Sequence, residues 1–245
     1  DFADRLFNQI KGFGGYGFPE SHSASFALLA YVSAWLKCHH PAAFYVGLLN
    51  SQPMGFYSPS QLIQDARRHH IMVLPVDVNH SSWDHLILSS ADQQQPPIRL
   101  GLRLIKGLNK AAGQRIQAAQ GRRAFANVAD LRQRACLDRG DMEALAAADA
   151  LSGISGNRYQ SHWQTMALED HRPLLPNEGA VQRSQDDGAI TATPTLPEDV
   201  IADYQSTGLT LRSHPLSLLR HQSPFDRCRR QTELETCLLY TSPSP

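Results

Sequence analysis

The most constraining stretch of the chain is Lys11 to Ser23, Lys-Gly-Phe-Gly-Gly-Tyr-Gly-Phe-Pro-Glu-Ser-His-Ser, which runs straight into the apolar segment Ala24 to Cys38. Four glycines between Gly12 and Gly17 let the backbone take left-handed turns and lie close against a ligand. The fifteen residues from Ala24 contain neither Gly nor Pro, and Ser21 and Ser23 are good N-caps, so a helix is expected to start at the Ser-His pair. A hydroxyl, an imidazole and backbone N–H groups at a helix N-terminus suit a phosphate. The alternative is a glycine-rich connector between helices that binds nothing. Gly12, Gly14 and Gly17 also spell G-x-G-x-x-G, but that fingerprint needs a preceding strand, and Phe2, Leu6 and Ile10 keep helical spacing instead.

With Phe26, Leu28, Leu29, Tyr31, Val32, Trp35 and Leu36, the helix over 24–38 is apolar nearly all round and is expected to be buried inside a domain. Pro41 opens a second helix to Asn50, and Ser58-Pro59 a third with Leu62, Ile63 and Ala66 on one face. Ile71 to Val78 is a β-branched run broken by Pro75, which suits an edge strand or an irregular segment. Ser82–Leu88 and Ile98–Leu102 are further strand candidates for a small ribbon.

The net charge of zero hides a division. From Arg99 to Arg134 there are nine Lys or Arg against the single acid Asp130, a local +8; from Ala135 to Asp203 twelve acids face four bases, a local −8. The basic block attracts phosphates, unless it is merely a solvated face. Within it, Leu104-Ile105-Lys106-Gly107-Leu108-Asn109-Lys110 reads as a helix–hairpin–helix turn, with Ile116 and Ala119 inward on the second helix. Such a turn presents backbone N–H groups to a DNA phosphate, with Arg103, Lys106, Gly107 and Lys110 as the candidate contacts. Asn109 stands where a glycine is usual, on the expectation that Asn accepts a left-handed backbone. The alternative is a helical connector with incidental bases. A degenerate second copy, Met142 to Leu151 followed by Ser152 to Gly156, lacks the lysines and is expected to serve packing. A helix–hairpin–helix glycosylase would need an aspartate such as Asp130 beyond the hairpin, but no base-flipping pocket can be argued.

Cys38, Cys136, Cys228 and Cys237 form no C-x-x-C, which implies neither a disulfide framework nor a zinc cluster and fits a reducing cytoplasm. A metal site built from Cys38 with His39, His40, His69 and His70 is disfavoured because adjacent residues leave a helix in different directions. The chain starts at Asp1 with neither a signal sequence nor an apolar span long enough for a membrane helix, and reads as a soluble fragment of something larger. Residues 166–199 read as a disordered linker, Asp199 to Tyr204 as a short helix ended by Gly208, 200–225 as a lead-in to a further domain, and 226–245 as a non-native tail.

Gly-Tyr-Gly-Phe at 15–18, Ser-His-Ser-Ala-Ser-Phe-Ala-Leu at 21–28, Trp35-Leu36-Lys37 and Pro41-Ala42-Ala43-Phe44 together resemble the fingers region of bacterial C-family DNA polymerases, the alpha subunit of DNA polymerase III. Pro19-Glu20, where the replicative enzymes usually carry Asn-Lys, the run Leu36 to Pro41 and the run Leu49 to Tyr57 are most similar to the error-prone, damage-induced branch of that family. The resemblance implies a mainly α fold: the end of the fingers (1–70), an irregular β connector (71–98) and a helix–hairpin–helix module (99–165). It implies that Tyr16, Gly17, Ser21 and His22 lie beside the incoming deoxynucleoside triphosphate, that the hairpin holds primer-template DNA, and that the whole enzyme polymerises with Mg2+ held by palm aspartates. No Asp-x-Asp pair on an apolar strand occurs in these residues. It also implies recruitment to a sliding clamp through accessory proteins, and a cytoplasmic location without a membrane. The alternative is a non-catalytic helix–hairpin–helix DNA-binding or scaffold module.

Overall fold

The structure is a computed structural model that describes residues 1–16, 20–88, 95–168 and 192–228, and of residues 12–16, 20 and 21 the backbone alone. It is mainly helical, with one small sheet. In chain order come α1 (Phe2–Tyr16), α2 (Glu20–His39), α3 (Pro41–Asn50), α4 (Pro59–Arg68), β1 (Val73–Leu74), β2 (Leu86–Ile87) and β3 (Ile98–Arg99). A 3-10 turn (Leu102–Leu104) leads to α5 (Lys110–Gln120), α6 (Val128–Ala135), α7 (Arg139–Ala147), α8 (Ser152–Ser155), α9 (Arg158–Met166), α10 (Leu196–Ser206) and α11 (Pro215–Leu219), and a second 3-10 turn spans Phe225–Arg227. The two-residue strands pair in the order β1-β3-β2, which puts Pro75 just past an edge strand.

The chain divides into two compact units, residues 1–73 with 87–98 and residues 74–86 with 99–245. In the first, Pro41 and Pro59 occupy the first helical turns of α3 and α4. Ser58 closes a capping box, its side chain accepting from the Gln61 N–H while the Gln61 side chain accepts from the Ser58 N–H. The core of this unit gathers Ala42, Tyr45, Ala66, Ile71 and Ile98, and Leu62 and Ile63 of α4 are buried as their spacing predicts. The Tyr45 hydroxyl donates to Asp65 at 2.6 Å and Lys37 Nζ donates to the same carboxylate oxygen at 2.7 Å, which ties the end of α2 to α3 and α4. Burial and the neighbouring Asp65 carboxylate both push the Tyr45 hydroxyl well above the usual phenol range.

Three expectations for this unit are corrected. The glycines do not open a loop at Lys11, because α1 runs on through Gly12, Gly14 and Gly15 to Tyr16. Glycine costs roughly 1 kcal/mol against alanine in a helix but carries no steric bar, so a favourable helix can continue through it. Helix α2 begins at Glu20, which leaves Ser21 and Ser23 inside its first turn and not at its N-cap. Nor is α2 buried: Phe26, Leu28, Leu29 and Tyr31 are each more than half exposed. Burial needs a covering surface, and among the described residues α2 has one chiefly in α3.

The second unit is built on Leu102, Ile116, Leu131, Leu145 and Leu151, all fully buried. Helix α7 packs on α9, α5 on α6, and α10 on α7. The helix near Gly208 begins at Leu196, three residues before the predicted start, because Thr195 and Glu198 form a capping box. Of the stretch expected to be a linker, 169–191 lies outside the described residues, as does 229–245 of the suspected tail. No helix among the described residues is long and apolar enough to cross a membrane.

Candidate nucleic-acid interface

The first hairpin turn is set by Gly107, whose φ of +86° belongs to the left-handed region that glycine enters without a steric penalty. Ile105 and Leu108 on either side are buried and anchor the turn to the core. Asn109 is not the left-handed residue. It sits extended, at φ −87° and ψ 159°, and caps α5 by accepting the Ala112 N–H at 2.8 Å. Asn has this second use because its short side-chain carbonyl reaches the N3 amide, and here the cap prevails over the turn. Ile116 and Ala119 point inward as predicted.

The four candidate contacts occupy different environments. Lys110 is exposed at the first position of α5, with its charge at the positive end of the helix. Lys106 is exposed as well, but its Nζ donates to the carbonyls of Tyr204 and Gln205 at 3.0 Å each. Arg103 pairs with Asp84 at 2.9 Å. Gly107 provides the turn itself.

Much of the remaining basic block is held within this unit. Arg115 donates to Asp141 and to the Ala135 carbonyl, joining α5 to α6 and α7. Arg123 and Arg134 both pair with Asp130, and Arg134 also donates to the carbonyls of Ala119, Arg123 and Ala124. Burial opposes ionisation of Asp130, yet the Ala126 N–H and these two guanidiniums hold its carboxyl below the usual range. Asp130 is thus a latch between α6 and the preceding loop, an arrangement that offers nothing to the glycosylase reading.

The second hairpin repeats the device: Gly156 at φ +103°, then Asn157 accepting the Gln160 N–H at 3.0 Å as N-cap of α9. Its first helical residue, Arg158, is 4% exposed and donates to Asp199 at 2.7 Å and to Asp203. Arg212 joins the cluster, pairing with Asp149 and Asp203 at 2.8 Å each. Sequence reasoning missed this network, since Arg158 lies 41 and 45 residues from Asp199 and Asp203, and Arg212 lies 63 from Asp149.

Of the candidate nucleotide contacts, Gly17 and the side chains of Tyr16 and Ser21 lie outside the described residues. His22 is exposed on the first turn of α2, its ring 4.4 Å from that of Phe26. No group of three or more His, Cys, Asp or Glu among the described residues is arranged to hold a metal ion.

A helix-hairpin-helix motif family matches residues 70–161. The chain is 56% identical over 237 residues to an error-prone DNA polymerase of Saccharophagus degradans, covering 96% of this chain and 23% of that protein. It is 54% identical to the error-prone DNA polymerase of Teredinibacter turnerae (96% and 22%) and 52% identical to that of Methylococcus capsulatus (90% and 22%). The chain spans less than a quarter of the length of these curated relatives. It is therefore a homologue of the error-prone DNA polymerases over that stretch of their length, with the helix-hairpin-helix motif inside it.

Proposed function

We propose that the chain serves a DNA-directed, error-prone DNA polymerase of the C family, contributing contacts to the incoming nucleotide and to the primer-template. Identity of 50–56% along nearly the whole chain carries this reading, and the left-handed glycine turn capped into α5 gives it a physical basis. The hairpin stabilises duplex DNA through phosphates: backbone N–H groups at the start of α5 and the charge on Lys110 meet the DNA backbone irrespective of sequence. Residues Tyr16, Gly17, Ser21 and His22 form the nucleotide side, with His22 near the sugar or phosphates. Pro19-Glu20 places an acid near that side where the replicative enzymes keep a cation, which weakens the hold on triphosphate and suits relaxed fidelity past damaged template. Phosphoryl transfer by such a polymerase uses two Mg2+ ions, which in this reading are held by the palm aspartates of the whole enzyme. Bacterial cytoplasm and recruitment to a sliding clamp complete the proposal.

The test is duplex binding by the double variant Lys106→Ala/Lys110→Ala. Binding should weaken about equally for every primer-template sequence, with a flatter salt dependence. A loss confined to particular sequences would contradict phosphate contact.

A further inference from the structure

Both hairpins meet the same partner, α10. At the first, Lys106 Nζ reaches the carbonyls of Tyr204 and Gln205, and the Lys106 backbone N–H donates to the Ser206 carbonyl at 2.9 Å. These carbonyls belong to the last turn of α10, where intrahelical partners run out beyond Tyr204, whose carbonyl also accepts the Gly208 N–H at 3.2 Å, and a cation meets the negative end of the dipole. Gly208, at φ +80°, turns the chain there, and a Cβ added to it would lie 3.8 Å from the Lys106 side chain. At the second, Arg158 takes Asp199 and Asp203 from the same helix. Lys106, though exposed, donates to two helix-end carbonyls and Arg158 is buried between two carboxylates, whereas Lys110 stands at the exposed start of α5.

We propose that Lys106 is a positioning residue: it fastens the Gly107 turn to the C-terminal end of α10, and the phosphate charge is met by Lys110. Helix α10 acts as a brace across both hairpins, which makes the second hairpin a mount for α10 and leaves DNA contact to the first. The inference rests on the proposed phosphate contact at the first hairpin.

The experiment uses the full 245-residue chain and a primer-template duplex, with affinity followed by fluorescence anisotropy across a salt series. Lys110→Ala should reduce the log–log salt slope by about 0.9, the value expected for one lost phosphate contact. Lys106→Gln removes the charge but keeps two amide N–H donors for the α10 carbonyls. It should leave the slope unchanged and lower the melting temperature by less than Lys106→Ala does, since donors remain while the charge at the helix end is lost. A fall of about 0.9 in the slope for Lys106→Gln, while the wild type binds normally, would overturn the positioning role and leave the DNA reading intact. Failure of the wild-type chain to bind duplex in a salt-dependent way would overturn both.

Discussion

Replacing Arg158 with Met tests the α10 brace most severely. The side chain is 4% exposed; Nη1 donates to the Asp199 carbonyl at 3.0 Å and to its carboxylate at 2.7 Å, and Nη2 donates to Asp203. Methionine fills much of the same volume, so the loss falls on the electrostatics and not on a cavity. Removing one partner from a buried ion pair destabilises by about 3–5 kcal/mol, because the opposing charge is left without compensation. Here Arg212 remains, 2.8 Å from Asp203 and 3.2 Å from Asp199, so neither carboxylate is stranded and the low end, about 3 kcal/mol, is expected. Urea unfolding followed by the fluorescence of Trp83 and Trp163, both in this unit, would measure it. A loss under about 1 kcal/mol would refute the reasoning, since that is what solvated surface pairs contribute.

Two further outcomes follow from the same unit. His85 is 3% exposed and its Nδ1 accepts the Gly101 N–H at 3.1 Å; burial, reinforced by the nearby Arg103 charge, pushes its pKa down from 6.5 to about 4. The unfolded chain therefore takes up the proton first, so this contribution is fully present above pH 6.5 and is lost as pH falls towards 4, by about 3 kcal/mol in all, which denaturation midpoints across that window would show. A flat profile between pH 7 and 4 for wild type against His85→Gln would contradict it. Gly113→Ala would set a Cβ 2.3 Å from the Trp83 ring, and overpacking of this kind costs about 1–3 kcal/mol, readable as a lowered melting temperature; an unchanged one would show that Trp83 moves aside freely.

What the sequence made legible was local. Pro41, Pro59 and the Ser58 cap mark α3 and α4 because capping and the fixed proline φ act within one turn. Gly107 marks the first hairpin for the same reason, a backbone requirement written in a single residue. The charge blocks were legible as totals but not as pairings: Arg115–Asp141 joins the basic stretch to the acidic one, and Arg158–Asp203 pairs two residues within the acidic one, through contacts that only the fold creates. Lys106 shows the limit most clearly, since its carbonyl partners lie 98 and 99 residues away and nothing in its neighbourhood announces them. In α2 the apolar pattern records a preference for burial, while exposure depends on what else is packed there.

The most direct measurement is the change in backbone amide NMR shifts as primer-template duplex is titrated into the chain. Phosphate held at the first hairpin should move the amides of Gly107, Leu108, Lys110 and Ala111 most, with Gly156 to Arg158 nearly still. Large shifts at the second hairpin with none at the first would contradict the assignment.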